Sequence, residues 1–393
     1  MGQTLSEPVV EKHTEKGGDK RVIFAVSSMQ GWRLSMEDAH ATVLNVQDND
    51  NNDTGSAFFG VYDGHGGVNS ATFSGQSLHK HIVRTDAFKQ GDFETAIRQG
   101  FLEADEELRR VEEASQSDYS GCTAICVLMT PDNTLFVGNA GDSRAILGSA
   151  GKSIALSTDH KPTLQQECDR ILAAGGFIEF GRVNGNLALS RAIGDFEFKQ
   201  NKELPPEKQV VTACPDVLRH TITEDDEFVV VACDGIWDCM ESQKVIDYVG
   251  DHLAQGQTLD EICETIMDDC LAPAIDTTGV GCDNMTIAIV GLLHGRTEAE
   301  WYQWVGERYR GRVAPDSASS SPKMQPSQDS MAAALPAVAI AQAGEVMASE
   351  AAQEGEEQAQ STAVSNAPSA PDTEATQADS DASKATPKQP EST

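Results

Sequence analysis

Four short segments of this 393-residue sequence present carboxylates, three of them together with glycine, arginine or histidine: Arg33-Leu-Ser-Met-Glu37-Asp38, Asp63-Gly64-His65-Gly66-Gly67, Asp234-Gly235-Ile236-Trp237-Asp238 and Asp283-Asn284-Met285-Thr286. In each, the acidic residues lie at the end or mouth of an apolar, strand-like run. Strand ends on one rim of a sheet can converge, and three or four carboxylates there could share two divalent cations whose charge offsets their mutual repulsion. Ligation by oxygen alone favours Mg²⁺ or Mn²⁺ over zinc. Within the second segment Gly64 lets the backbone approach closely enough for its carbonyl to act as a ligand, and the His65 imidazole is available for proton transfer near neutral pH. One Asp-Gly dipeptide is an ordinary turn; the recurrence at four strand ends carries the reading.

The elements that must position these residues follow from hydrophobic period and punctuation. Strands are predicted over Val22–Ser27, Ala41–Val46, Ala57–Tyr62, Thr123–Met129, Leu135–Ala140, Ser143–Leu147, Val217–Thr221, Glu227–Ala232 and Met285–Leu292. Helices are predicted over Val68–Arg84, Phe93–Glu113, Leu164–Ala174, Ser242–Ala254, Leu259–Cys270 and Glu298–Arg308. Runs of strands separated by tight turns, with helices arriving in pairs, argue for an α+β fold with antiparallel sheets rather than a doubly wound one. There is no internal repeat. The expected organisation is an N-terminal extension over 1–20, one domain over 21–295, a C-terminal helix over 296–310 and a tail over 311–393.

That tail lacks Phe, Tyr, Trp and Cys and is rich in Ala, Ser, Pro, Gln and Glu, so it is expected to be disordered. The net charge is −33; the tail holds 4 basic and 12 acidic residues and accounts for −8, leaving −25 on residues 1–310. Such a surface repels nucleic acid and anionic lipid, which disfavours both as partners. No run of 18 apolar residues could cross a bilayer, and no secretory h-region is present. A reducing, cytoplasmic and also nuclear location is expected, and the 9 cysteines, without a Cys-x-x-Cys pair, read as small buried apolar residues. Gly2 followed by Ser6 fits the N-myristoylation pattern. A single acyl chain gives only marginal membrane binding, and Lys12, Lys16, Lys20 and Arg21 are interrupted by acids, so stable anchoring is not expected. His79 and His81 lie two apart on a predicted helix, on different faces, and are read as structural.

Taken in order, the four acidic segments together with Ser120-Gly121-Cys122-Thr123-Ala124, Gly138-Asn139-Ala140-Gly141-Asp142-Ser143-Arg144, Asp159-His160-Lys161-Pro162 and Leu189-Ser190-Arg191-Ala192-Ile193-Gly194-Asp195 resemble the metal-dependent serine/threonine protein phosphatases of type 2C, across roughly residues 20–295. The resemblance implies a central sandwich of two antiparallel sheets flanked by helices on both sides, with a binuclear Mg²⁺ or Mn²⁺ site at one end. It implies that Asp63 bridges the two cations, that Gly64 ligates one through its carbonyl, that Asp234 and Asp283 complete the other, and that Glu37 and Asp38 bind around the pair directly or through water. A third, weaker cation site maps to Asp142 with Asp234 and Asp238.

The implied reaction is hydrolysis of phosphoserine and phosphothreonine in proteins by a metal-activated water, without a phosphoenzyme. Arg33 would hold nonbridging phosphate oxygens and His65 would protonate the departing oxygen. Phosphorylated proteins are the expected partners, and a monomer is expected. Arg191 and Gly194 fall in a stretch, about Gly175 to Pro206, that resembles the family's flap, where substrate choice or a packed turn are the alternatives. A thiol phosphatase is excluded, because no cysteine is followed six positions later by arginine; Cys214 and Arg219 miss by one. A metal-dependent nuclease would share the carboxylates but is disfavoured by the acidic charge. A catalytically dead phosphoprotein-binding module is disfavoured by the intact Arg33, Asp63, Asp234 and Asp283.

Overall fold

The computed structural model describes residues 4–47, 55–115 and 120–310. Gly2 and the tail over 311–393 lie outside the described residues. Two antiparallel sheets form the centre. One has six strands in the spatial order Thr4–Gly18, Val22–Arg33, Met285–Leu292, Asp226–Ala232, Arg144–Ser149 and Lys152–Ala155; the other has five, in the order Asp216–Thr221, Thr134–Ala140, Ala124–Met129, Ala57–Tyr62 and Ala39–Val43.

The central strands are apolar at nearly every position because both of their faces are covered. Phe24, Val26, Phe59, Val61, Ile125, Val127, Val229, Val231 and Val290 fill the space between the sheets. The alternate residues of the first sheet, Ile23, Ala25, Val230, Ala232, Ile287 and Ile289, face outward against Val245, Val249, Ile262, Ile266, Trp301 and Val305 of the helices Ser242–Ala254, Leu259–Cys270 and Glu298–Arg310. Phe58, Tyr62, Cys126 and Leu128 of the second sheet pack likewise against Leu78, Ile82, Ile97 and Phe101 of the helices Asn69–Arg84 and Phe93–Ser115. Period-two alternation thus divides one apolar run between two cores. The expected α+β sandwich with helices on both faces is what forms.

Two flanking segments prove to be part of this architecture. Residues 4–18, expected as an extension, run antiparallel to Val22–Arg33 as an edge strand. They are tied down by Lys12 to Asp268 and Lys16 to Asp260, each at 2.6 Å, and by the Thr14 hydroxyl donating to Glu264 at 2.6 Å. The helix Glu298–Arg310 buries Trp301 and Tyr309, whose polar atoms donate to the carbonyl and carboxylate of Glu227. His79 and His81 sit beside Phe58 and Phe73, consistent with structural roles. Cys122, Cys126, Cys233, Cys239, Cys263, Cys270 and Cys282 are buried and every cysteine is a free thiol.

Arg191 belongs to packing rather than to the cleft. Its guanidinium donates to the buried Glu167 carboxylate at 2.7–3.1 Å, to Asp216 at 2.8 Å and to the Cys214 carbonyl at 3.1 Å, while Arg170 bonds the same Glu167 at 2.6 Å. Burial alone would raise the Glu167 carboxyl, but the two guanidinium groups outweigh it and hold the group at about 2, below the ordinary 4.5. A carboxyl depressed on folding stabilises the fold above its unfolded value, and that contribution is lost as pH falls through the folded value. Glu167→Gln is therefore expected to destabilise the protein by about 3 kcal/mol at pH 7, because two half-buried guanidinium groups lose the buried carboxylate they share. Urea unfolding should show this deficit shrinking between about pH 4.5 and pH 2; a deficit constant with pH would contradict the pairing.

Candidate active site

Antiparallel register brings the acidic segments to one rim. Met285 pairs with Met29, Ala232 with Ile287 and with Arg144, Ala124 with Ala140, and Tyr62 with Ala39. The residues just past those pairs therefore emerge at the same end of the sandwich. Asp63 follows Tyr62, Asp234 lies two residues after Ala232, Asp283 lies two before Met285, Asp38 precedes Ala39, and Asp142 lies between Ala140 and Arg144.

Local bonds fix each side chain. The backbone of Asp63 is clamped by a reciprocal pair, its N–H donating to the Thr123 hydroxyl at 3.1 Å and its carbonyl accepting from the Thr123 N–H at 2.9 Å. Asn284 accepts from the Glu37 N–H at 3.0 Å and donates to the carbonyls of Gln30 and Ser35, stitching the first acidic segment to the fourth. Thr286 donates to Asp38 Oδ2 at 2.7 Å. Arg33 donates to Asp283 Oδ2 at 2.5 Å. A side chain at position 64 would collide with the Glu37 carbonyl, so only glycine lets these two segments approach.

A cleft of about 390 Å³ opens at this rim, and its walls include Arg33, Asp63, Gly64, His65, Asp142, Asp195, Asp234 and Asp283. A larger cavity of about 780 Å³ lies between Leu102–Glu113 and Phe196–Gln209, where the buried Asp105 and Lys199 satisfy each other at 2.7 Å. The carboxylates of the acidic strand ends line the smaller one. Asp63 and Asp234 are pushed well above the ordinary carboxylate value, first by burial and then by the neighbouring carboxylates, and Asp38 is pushed up to about 6 chiefly by burial. Asp38 Oδ1 is buried without a hydrogen-bond partner among the described residues, and ligand atoms of Asp38, Asp63 and Cys233 lie within 4.8 Å of one another. Crowded, half-buried oxygens with an unpartnered lone pair fit a hard divalent cation, which removes both the desolvation penalty and the repulsion.

The remaining expected ligands are arranged less openly. Asp142 is buried and ion-paired to Lys161, and Asp238 is exposed. A cation at the expected third site would have to displace the Lys161 ammonium from Asp142. Glu37 is held by Ser35 and by the Gly67 N–H. Cys233, between the first sheet and Asp234, is fully buried with its sulfur accepting from the Thr286 N–H at 3.1 Å.

His65 has a partner that sequence reasoning did not assign. Its Nε2 donates to both carboxylate oxygens of Asp195, at 2.9 and 2.8 Å, while Nδ1 makes no hydrogen bond among the described residues. Burial disfavours the imidazolium, but the Asp195 hydrogen bond and charge, with Asp142 and Glu37, outweigh it and raise the histidine above its usual value. A small three-stranded sheet sets this pair: His65 lies opposite Gly121, and Gly121 opposite Gly194. A Cβ at Gly121 would fall onto the His65–Asp195 contact itself. Asp195 takes a left-handed conformation, φ 51°, and the loop carrying it is stapled to the helix Phe93–Ser115 by Asp105, which accepts from the Gly194 N–H and from Lys199. Asp195 closes one of the sequence segments that carried the resemblance, and only its left-handed backbone and contact across 130 residues reveal its partner.

Comparison with known proteins agrees with this geometry. The protein phosphatase 2C family model matches residues 22–279. Protein phosphatase 2C homolog 2 of Hypocrea jecorina is 55% identical over 320 residues, covering 80% of this chain and 72% of the relative. The homolog 2 of Schizosaccharomyces pombe is 51% identical over 315 residues, covering 80% and 85%. Among solved structures, a phosphatase from a pathogenic strain of Toxoplasma gondii superposes with a TM-score of 0.61 at 25% identity, covering 72% of this chain and 96% of that one. The chain belongs to the protein phosphatase 2C family, the metal-dependent protein serine/threonine phosphatases.

Proposed function

We propose that the rim site hydrolyses phosphoserine and phosphothreonine in proteins with two Mg²⁺ or Mn²⁺ ions held by Asp63, the Gly64 carbonyl, Asp234 and Asp283, with Glu37 and Asp38 around them. The observation that carries this reading is the set of crowded, buried carboxylates, Asp63, Asp234 and Asp38, with one Asp38 oxygen lacking a partner among the described residues. When bound, such a metal pair supplies Lewis acidity that makes water nucleophilic near neutral pH, so that no phosphoenzyme is needed.

The protein's own residues supply the rest. Arg33, half-exposed at the cleft wall and already paired with Asp283, presents a planar fork suited to nonbridging phosphate oxygens. Asp195 fixes the His65 tautomer with the proton on Nε2 in the neutral ring, and a second proton on Nδ1, facing away from Asp195, would go to the departing serine or threonine oxygen. Asp195 is then a positioning residue that favours the protonated ring. The third cation site at Asp142 and Asp238 is a weaker part of the same proposal, because Lys161 already neutralises Asp142.

Phosphate release from a phosphothreonine peptide, titrated with Mn²⁺, should be abolished by chelator and by Asp63→Asn, with calorimetric Mn²⁺ affinity falling in the same variant. Release without metal, or preferential cleavage of a phosphodiester, would overturn the assignment, as would phosphate retained covalently on acid-quenched enzyme.

General acid catalysis contributes about 10²–10⁴-fold, so His65→Ala should cut kcat on phosphothreonine peptides by at least about 100-fold while barely changing p-nitrophenyl phosphate, whose leaving group needs no proton. Equal losses on the two substrates would remove His65 from the acid role.

Asp195→Asn takes away the charge that raises the His65 value. A general acid works below its pKa, so the falling alkaline limb of kcat on the peptide should move to lower pH in this variant. An unmoved limb would show that Asp195 does not act through His65.

A further inference from the structure

The segment between the helix Gln165–Ala173 and the cleft contains a hairpin whose strands pair Ile178 with Val183 and Glu179 with Arg182. Its two-residue loop is Phe180-Gly181, with φ 51° and 73°. Positive φ at both loop positions is the signature of the type I′ turn, which favours Asn-Gly or Asp-Gly and disfavours an aromatic residue at its first position. Three residues on, the same segment makes another tight turn with Asn184-Gly185, φ 50° and 73°, and there uses the favoured pair. Phe180 is therefore an exception within its own neighbourhood. It gains no packing in return, since it is 94% exposed, more than any other large apolar side chain among the described residues.

The display is rigid. Ile178, Val183 and Leu187 pack on a small separate core with Ile171, Ala192, Phe198 and Val211. Asn184 accepts from the Phe177 N–H at 3.0 Å and Arg182 donates to the Asn186 carbonyl at 2.7 Å. It is also joined to the cleft: Arg182 and Asn186 to Leu189 line it together with Asp63 and Asp283. An aromatic side chain held out at the tip, in a backbone conformation it disfavours, on a hairpin whose base lines the site, points to recognition.

We propose that Phe180 docks an apolar side chain of the phosphoprotein substrate, flanking the phosphoresidue that enters the cleft. The occupant is the substrate polypeptide because the surface is continuous with the cleft wall through Arg182, and because a phosphoresidue bound there carries its own neighbouring residues across the hairpin. This rests on the phosphatase reading above and adds a substrate class to it, segments with a bulky apolar residue at a fixed offset from the phosphosite.

The test uses the full chain and a set of phosphothreonine peptides in which one leucine is walked from four residues before to four residues after the phosphothreonine on an otherwise Gly/Ser background. The expected parent behaviour is a kcat/KM about tenfold higher with leucine at one or two offsets, the scale of partly burying an apolar side chain. Phe180→Asn gives the loop the pair its turn type favours, so the thermal midpoint should not fall, yet the leucine preference should vanish. Phe180→Leu should retain part of it, and p-nitrophenyl phosphate turnover should be the same in all three proteins. A parent with no leucine preference, a Phe180→Asn variant that keeps it, or an equal loss on p-nitrophenyl phosphate would each overturn the proposal. Anisotropy titrations of the same peptides in chelator read binding independently of turnover. A leucine preference in binding that Phe180→Asn removes supports docking even where catalysis fails, and its absence there refutes docking even where catalysis succeeds.

Discussion

Repulsion among carboxylates governs this molecule. Asp63, Asp234 and Asp38 are brought out of bulk water at one rim, where burial disfavours their ionised forms and neighbouring carboxylates add to the penalty in every case. Nothing in the apolar cores demands this; a sandwich with polar, uncharged strand ends would fold with less conflict. The two-sheet scaffold supplies what tolerates it. Strands buried on both faces are anchored along their whole length, so their ends cannot splay apart to relieve the repulsion, and the reciprocal bonds of Asp63 with Thr123 and the bonds that Asn284 donates to the Gln30 and Ser35 carbonyls hold the converging backbones in place.

The proton donor is positioned by a second, smaller set of constraints that depends on the first. His65 is only two residues from Asp63, so the turn that aims the carboxylate also aims the imidazole. What it faces is decided elsewhere. Gly121 leaves the space in which His65 and Asp195 meet, and the buried Asp105–Lys199 pair ties the Asp195 loop to a helix of the second outer layer. A buried pair of this kind contributes little net stability by itself, yet losing one partner is costly, which makes it effective at holding a loop in one arrangement.

The sandwich was legible because its inner strands are apolar at consecutive positions, and the acidic rim was legible because acids recur at the ends of those runs. The strand Thr4–Gly18 was not, since an edge strand with one exposed face shows charged residues throughout and is recruited by partners near residues 260–268. Val22–Arg33 runs six residues beyond the expected Ser27, through Gln30-Gly31, where polar and glycine residues break the pattern while pairing with residues 4–18 and with Met285 onward continues. Arg191, in a stretch where substrate choice and a packed turn were the alternatives, neutralises Glu167, an acid that residue type alone would leave at the surface. Asp195 was in view in sequence but its partnership with His65 spans 130 residues, and no local pattern encodes such a pairing.

Sorting the acidic residues by what answers their charge shows where the fold supplies a counter-charge and where it does not. Glu167 has two guanidinium groups, Asp105 has Lys199, Asp142 has Lys161 and Asp283 has Arg33. Each of these carboxylates is complete without a ligand, whatever else it later binds. Asp63 and Asp234 are held well above the ordinary range by burial and by neighbouring carboxylates, and Asp38 keeps one oxygen without a partner among the described residues. Within a single rim, therefore, the fold compensates some acids internally and leaves others in deficit. The deficit falls at strand ends that cannot move away from each other, which is the arrangement in which a cation from solution gains most. Metal dependence follows from that distribution of counter-charge: the site is finished only when the cations are present.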